Sequence, residues 1–285
     1  MKKIILAILC AFLLSGCTKD IASDKFTIYT SFYGMYDFAR MIAGDKAEIK
    51  ELIPSGVEAH DWEPGTGDMI ALSTADVFIY SGMGMEPWVE TVLNGINNEK
   101  LVVVEASKGI KAPGNGKVKD PHVWLDPQNA LSELTNIAEG ISKADPENED
   151  YYMANLENVK KQIVELHTDF SSVTESLADK EIIVTHGAFG YLCEAYGLKQ
   201  YAIEGLGGES DPSSAKIREI IDYMKNNGKD EIFYIEGEDE KVAAMLCGET
   251  GAEMYTLNPF EKGTGDMDYF DVMQENLENL KEALE

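Results

Sequence analysis

Three of the four histidines in the chain stand where candidate β-strands end. His60 follows the second of these strands, His122 follows the fourth, and His186 ends the fifth. Parallel sheets bind ligands beyond the carboxyl ends of their strands, so two sheets that face each other would bring these imidazoles to one point. Imidazole nitrogen is a good ligand for zinc and other transition metals. The placement predicts a metal site, whereas His167, inside a long helical segment, is predicted to be a surface or packing residue.

The sequences around the three histidines are specific in combination. They read IPSGVEAHDWEP at 53–64, DPHVWLDP at 120–127 and VTHGAFGY at 184–191, and they are accompanied by GMEPW at 84–88 and LNPFE at 257–261. With these motifs the chain resembles the zinc- and manganese-binding lipoproteins of bacterial ABC importers, which are substrate-binding proteins of the ZnuA/TroA type. The resemblance extends from a Leu-Ser-Gly-Cys motif at 14–17 to the last helix.

The resemblance implies a set of metal ligands. The three matching histidines bind the metal, and a carboxylate of the second lobe usually supplies the fourth ligand. In some zinc members this carboxylate belongs to a Leu-Asn-Pro-Leu-Glu-like segment, which implies Glu261 here. Manganese members typically replace the third histidine with glutamate, so His186 favours Zn²⁺, with Mn²⁺ as the alternative. Glu58, Glu236 or water are the other candidates for the fourth position.

Two aspartates close to these motifs are candidates for orienting the histidines. Asp61 and Asp126 could accept hydrogen bonds from the imidazole rings, or they could serve as loop and helix-cap carboxylates. One stretch departs from the family pattern, because many zinc members carry a histidine-rich acidic loop before the second ligand. The corresponding residues 107–119 contain no histidine.

The amino terminus carries a second motif with specific chemistry. Two lysines precede an apolar run over 4–14, and Leu-Ser-Gly then leads directly into Cys17. A basic end followed by a short apolar run is typical of an export signal, and this run is too short to span a bilayer. The motif resembles a bacterial lipobox, which implies that residues 1–16 are a signal peptide and that Cys17 is acylated. An ordinary signal peptide with a chance cysteine is the alternative.

The charge of the chain limits its partners. The formal net charge is −27, and loss of Lys2 and Lys3 with the signal would make it −29. An acidic chain of this kind repels nucleic acid and anionic lipid surfaces, so neither is an expected partner. The sequence beyond the signal contains no second long apolar stretch. The lipid is therefore the expected membrane attachment, and the expected location is extracytoplasmic, anchored to the cell membrane.

Cys193 and Cys247 are the cysteines that remain beyond Cys17. Outside the cytoplasm two such thiols could form a disulfide. Both also stand among apolar neighbours, where a buried free thiol is common. The sequence leaves these two possibilities open.

Strand-like and helix-like segments alternate along the whole chain. Candidate strands cover 26–32, 47–53, 77–81, 101–105, 181–185, 199–204, 231–236 and 253–257. Helical patterns cover 35–43, 68–75, 127–143, 212–227, 239–250 and 266–284. This alternation predicts an α/β protein with parallel sheets covered by helices. The layout is two four-stranded lobes, over 17–145 and 179–285.

A long helix is predicted between the lobes, over 146–178. Asp145 and Pro146 are a good start, because proline fits the first helical position after a capping residue. Apolar residues then recur at spacings of four and three, which places them on one stripe of the helix. They are Tyr152, Leu156, Val159, Ile163, Leu166, Phe170, Val173 and Leu177. A helix of this length, about 48 Å, predicts a rigid brace between the lobes.

Together these features predict a monomeric solute-binding protein that captures Zn²⁺ between two lobes. The resemblance implies that it delivers the ion to an ABC permease and its ATPase. Manganese or iron binding in the same importer class is the nearest alternative. A zinc metallohydrolase and a surface adhesin are the rivals from other classes. The hydrolase is disfavoured because the sequence has no His-Glu-x-x-His or Gly-x-Ser-x-Gly motif, and no adhesive face is marked. We therefore expect no enzymatic activity.

Overall fold

The structure of the chain is a computed structural model that describes residues 25–112, 120–206, 212–236, 238, 240–263 and 265–285. The predicted signal peptide and Cys17 lie outside the described residues. Two four-stranded parallel sheets with flanking helices make up the fold, and one long helix joins them. The α/β fold class predicted from the sequence is therefore confirmed. The exact lobe boundaries stay a prediction.

The bounds of the elements are as follows. The strands are β1 Thr27–Thr30, β2 Glu48–Glu51, β3 Val77–Tyr80, β4 Val102–Glu105, β5 Glu181–Val184, β6 Lys199–Ala202, β7 Glu231–Tyr234 and β8 Glu253–Thr256. The α-helices are α1 Tyr33–Ala43, α2 Thr66–Leu72, α3 Val89–Gly95, α4 Pro127–Ala144, α5 Glu149–Ser176, α6 Gly190–Tyr196, α7 Ser214–Asn227, α8 Glu240–Thr250 and α9 Tyr269–Leu284. Short 3-10 turns cover Val123–Leu125 and Pro146–Asn148.

The two sheets repeat the same strand order. The order is β2-β1-β3-β4 in the first sheet and β6-β5-β7-β8 in the second, and all neighbours are parallel. In each sheet the second strand in chain order lies on one side of the first strand, and the later strands lie on the other side. This switch, beside β1 and beside β5, opens a crevice beyond the carboxyl ends of the strands. All eight predicted strands are present, each one to three residues shorter than expected. Their ends continue as hydrogen-bonded loops, as where the Leu52 amide donates to the Thr30 carbonyl over 2.9 Å.

Alternate residues of the central strands face different cores. In β3, Val77 and Ile79 point inward to a large cluster, while Phe78 packs with α2 and α3 on the outer side. The large cluster also contains Ile182 and Val184 of the second sheet and the buried face of α5. One core therefore runs from the first sheet, past α5, into the second sheet. Such shared packing resists relative movement of the two halves.

The long helix begins later than predicted. Pro146 opens a 3-10 turn, and α5 starts only at Glu149 and ends at Ser176, before Leu177 turns to extended backbone. The helix is thus about 42 Å long. Its buried stripe keeps the predicted residues from Tyr152 to Phe170, but Thr174 rather than Val173 is the buried residue of the last turn. No helix in the described part of the chain has the length and apolar character to cross a bilayer.

The two candidate disulfide cysteines lie in different surroundings. Cys193 is buried in the large cluster, and Cys247 packs against a smaller cluster between the second sheet, α7 and α8. Both are free thiols in the structure. Of the two possibilities left by the sequence, the structure has free thiols and no disulfide between them: Cys193 is buried and Cys247 is half-buried.

Candidate metal centre

Four side chains from both sheets converge on one point. The ligand atoms of His60, His122, His186 and Glu261 all lie within 4.8 Å of one another. His122 is central: its Nε2 atom is 3.4 Å from Nε2 of His60, 3.4 Å from Nε2 of His186 and 3.0 Å from Oε1 of Glu261. Oε2 of Glu261 is 3.8 Å from His60, and Oε1 is 3.8 Å from His186. Three of the four residues are buried, and His60 is half-buried.

His122 is held by an aspartate that precedes it by two residues. Oδ1 of Asp120 accepts one hydrogen bond from the backbone amide of His122, at 3.0 Å, and another from its Nδ1, at 2.8 Å. The ring of Trp124 meets the imidazole edge at a centroid distance of 5.6 Å. Since a carboxylate only accepts, Nδ1 carries the proton and Nε2 points to the other ligand atoms. Asp120 therefore fixes both the ring orientation and the protonated nitrogen.

His60 and His186 are placed by the ends of their strands. The loop that carries His60 continues β2 through the Ile53 amide, which donates to the Ser31 carbonyl over 3.0 Å, before turning at Pro54. His186 follows β5, which is extended by the Thr185 amide donating to the Phe233 carbonyl over 2.9 Å. His186 thus emerges from the strand at its sheet's reversal point, and His60 follows the edge strand β2. Both lie beyond the carboxyl ends of an open parallel sheet, where ligands bind.

The segment that carries Glu261 is fixed by hydrogen bonds from both halves. Asn276 of α9 exchanges two bonds of 2.8 Å with the backbone of Asn258. Nε1 of Trp124 donates to the Pro259 carbonyl over 2.7 Å. Phe260 has a φ of 60°, in the left-handed region that an aromatic residue rarely adopts. Its burial and these bonds over-determine the turn, which directs Glu261 back towards the histidines.

The charges of the cluster are strongly coupled. Burial lowers the pKa of His122, but its hydrogen bonds to Asp120 and Glu261 outweigh this and raise the pKa to about 9. Burial lowers the pKa of His186 to about 4, against the attraction of Glu261. Burial raises the pKa of Glu261, but His122 and the other imidazoles overcome it and bring the pKa to about 2. Without metal, a cationic His122 therefore bridges two carboxylates at neutral pH.

The aspartate beside His122 is not one of the two that the sequence suggested. Asp126 caps α4, where Oδ1 accepts from the Gln128 amide over 2.9 Å, and Asp61 is exposed in the loop after His60. The orienting carboxylate is Asp120, since its Oδ1 atom accepts from both the amide and Nδ1 of His122. The sequence feature that could have identified Asp120 is its position in the same Asp-Pro-His motif as His122.

Of the remaining candidates from the sequence, His167 lies apart from the four converging side chains, whereas the carboxyl group of Glu58 interacts with that of Glu261. Nδ1 of His167 is 3.0 Å from the Tyr196 hydroxyl, and Gln128 lies on its other side, 2.9 Å from Nε2. Glu58 and Glu236 line a cavity next to the cluster, and Glu58 is paired with Lys262. Across the described ranges, no other group of three or more histidine, cysteine or acidic residues brings its ligand atoms together.

Comparison with known proteins finds zinc-uptake proteins that match nearly the whole chain. The family model for ZnuA, the periplasmic component A of the zinc-uptake complex, matches residues 28–283. The chain is similar to the high-affinity zinc uptake system protein ZnuA of Bacillus subtilis, with 35% identity over an alignment that covers 96% of this chain and 95% of that protein.

Two solved structures share the whole fold. The Zn(II)-bound ZnuA-like domain of Streptococcus pneumoniae AdcA superposes with a TM-score of 0.82 and 30% identity, over 91% of this chain and 99% of that one. The laminin-binding protein of Streptococcus agalactiae, described as bifunctional with adhesin and metal-transporting activity, gives a TM-score of 0.85 and 32% identity, over 91% and 99%.

Proposed function

We propose that this protein is an extracytoplasmic receptor that binds Zn²⁺ and delivers it to an ABC importer. The chain belongs to the ZnuA family of periplasmic zinc-uptake components. The ligands are His60, His122, His186 and Glu261. The observation that carries this proposal is their spacing. A tetrahedral zinc site with bonds of about 2.0–2.1 Å has edges of about 3.3–3.4 Å between ligand atoms. The three distances to the central Nε2 atom of His122 are 3.4, 3.4 and 3.0 Å, and Glu261 lies 3.8 Å from both His60 and His186.

The chemistry of these ligands favours zinc over manganese. Three imidazole nitrogens and one carboxylate suit Zn²⁺, whereas Mn²⁺ prefers sites rich in oxygen. Manganese or iron binding by the same cluster is the alternative function. Competition between Zn²⁺ and Mn²⁺ for the metal-free protein distinguishes the two, and the proposal requires zinc to displace manganese at equal concentrations.

The same ligand count favours binding over catalysis. A catalytic zinc normally has three protein ligands and keeps one position open for water or substrate. Here four protein ligands complete the tetrahedron, and the cluster is almost wholly buried. Such a site holds its ion as cargo and offers no position at which a substrate could be activated.

The importer supplies the partners of this receptor, which are an ABC permease and its ATPase. The mature protein acts as a monomer at the outer side of the cell membrane, held by acyl chains on Cys17. The similar laminin-binding protein is described as both an adhesin and a metal transporter. The four converging ligand atoms support the second of these roles, so transport is the function proposed.

Zinc binding should depend on pH even well above the ordinary range of histidine. His122 has a pKa of about 9 in the metal-free protein, so zinc must displace its proton at neutral pH. His186, with a pKa of about 4, and Glu261, with a pKa of about 2, have no proton to release there. We expect the affinity to fall about tenfold per pH unit from pH 8.5 to 7, with one proton released per ion.

Calorimetric titration in buffers of different ionisation enthalpy measures this proton directly. Three histidines with the ordinary pKa of about 6.5 would release almost none above pH 7.5. Asp120→Asn removes the negative charge of one of the two carboxylates that raise the pKa of His122 and is therefore expected to reduce the proton count. A flat affinity between pH 7 and 8.5 would refute the assignment of the proton to His122.

A further inference from the structure

A cavity of about 260 Å³ opens directly onto the proposed zinc ligands. His186 and Glu261 form part of its wall. The rest of the wall is strongly acidic, and its other carboxylates are Glu58, Glu204, Glu236 and Glu238. His60, the half-buried ligand, lines a second cavity, so within the described ranges the acidic cavity is one of two through which an ion can reach or leave the ligands.

One ammonium group spans the cavity. Nζ of Lys262 lies 2.9 Å from Oε2 of Glu58 and 2.7 Å from Oε1 of Glu238. Among the described residues that line the cavity, Lys262 is the only lysine or arginine. Its side chain is 23% exposed, so water screens both pairs only in part. These bonds hold the ammonium between Glu58 and Glu238.

One of the two bridges joins two segments that carry zinc ligands, and the other ties one of these segments to its neighbour in the second sheet. Glu58 stands two residues before His60 in the loop after β2, and Lys262 directly follows Glu261 in the segment after β8. Glu238 belongs to the segment after β7. The pair between Lys262 and Glu58 therefore connects the first sheet's ligand loop to the second sheet's ligand segment. Because the shared core limits movement of the sheets, opening the site requires these loops to part.

We propose that Lys262, by bridging Glu58 and Glu238, fastens the two ligand loops across the cavity and slows the release of zinc. This inference rests on the proposed function. Each partly screened pair contributes up to about a fivefold change in a rate or equilibrium. Loss of the lysine breaks both pairs at once, so the ion is expected to leave about fivefold to twentyfold faster.

The direction of the effect separates this role from a purely electrostatic one. An ammonium next to the site repels Zn²⁺. If repulsion were its main effect, removal of the charge would slow release. Fastening the loops predicts the opposite sign. The two roles also differ in their response to Glu58→Gln, because variants that break the same bridge are not additive.

The test is the dissociation rate of zinc from the loaded full-length protein, followed by stopped-flow mixing with excess chelator. Lys262→Met and Glu58→Gln should each release zinc faster, and the double variant should be no faster than Lys262→Met alone. Lys262→Arg should retain most of the slow release. Lys281→Met is the matched control, since Lys281 forms an exposed pair with Glu285 at 3.7 Å on α9, and it should behave as the wild type.

Slower or unchanged release from Lys262→Met overturns the inference, and so does a double variant whose effect is the product of the two single ones. Thermal unfolding of each metal-free variant shows whether the fold is retained. If the wild type fails to bind zinc one to one, the proposed function itself is wrong. Normal binding with unchanged release from Lys262→Met contradicts only the role of the lysine.

Discussion

Replacement of His122 by alanine is expected to lower the zinc affinity by more than about a hundredfold. Changes to residues that merely support a ligand already cost about 10-fold to 100-fold, and His122 is itself the central ligand. Its Nε2 atom is the one that lies within 3.4 Å of all three other ligand atoms. The substitution also leaves Asp120, which is 6% exposed, without its imidazole partner. Competition with a calibrated zinc chelator measures the loss.

His167→Ala is the matched control for this variant. His167 contacts Gln128 and Tyr196 on the outer side of α5 and does not reach the ligand cluster. Its removal should leave the zinc affinity unchanged, whereas His60→Ala and His186→Ala should weaken it strongly. Zinc binding by His122→Ala that equals the wild type, or a large loss in His167→Ala, would mean that the wrong histidines have been grouped.

Replacement of Cys17 by alanine is expected to release almost all of the protein from the membrane or to block its maturation. Acyl chains gain about 0.8 kcal/mol for each buried CH₂ group, and two or more chains anchor a protein stably. No helix among the described residues could replace them. The mature chain, with a formal charge of −29 after the loss of Lys2 and Lys3 from −27, is repelled by anionic lipid. Fractionation of cells followed by immunoblotting measures the distribution.

Cys193→Ala is the control for the anchor, because that thiol is buried in the large core. It should stay with the membrane fraction, and mass spectrometry of the mature wild type should find an acylated residue 17 at its amino terminus. Equal membrane partition of Cys17→Ala and the wild type would remove the lipoprotein assignment while leaving zinc binding untouched.

The sequence was most informative where short-range patterns and physical rules coincide. Buried parallel strands are nearly continuous apolar runs, as in Ile182 to Val184. The edge strands β2 and β6 are not such runs and were predicted from the alternation of strands and helices. The histidines could be grouped because ligands gather beyond the strand ends. The seven-residue helices α3 and α6 were not among the predicted segments, although α2 has the same length and was. Two turns show a helical period only weakly.

Contacts between distant parts of the chain could not be predicted in the same way. The assignment of Glu261 came from resemblance alone, because its position depends on Trp124 and Asn276, which are far away in sequence. The bridge from Lys262 to Glu58 joins residues that are also far apart, and no periodicity or motif announces it. Long-range hydrogen bonds and ion pairs of this kind depend on how the two sheets face each other, which local sequence does not encode.

The central claim is the identity of the four zinc ligands, and the most direct measurement is a crystal structure of the zinc-loaded protein with anomalous data on both sides of the zinc edge. The account predicts one strong anomalous peak about 2.0–2.2 Å from Nε2 of His60, His122 and His186 and from one carboxylate oxygen of Glu261. A peak elsewhere in the molecule, or one that lacks His122 or has water or another carboxylate in place of Glu261, would contradict it.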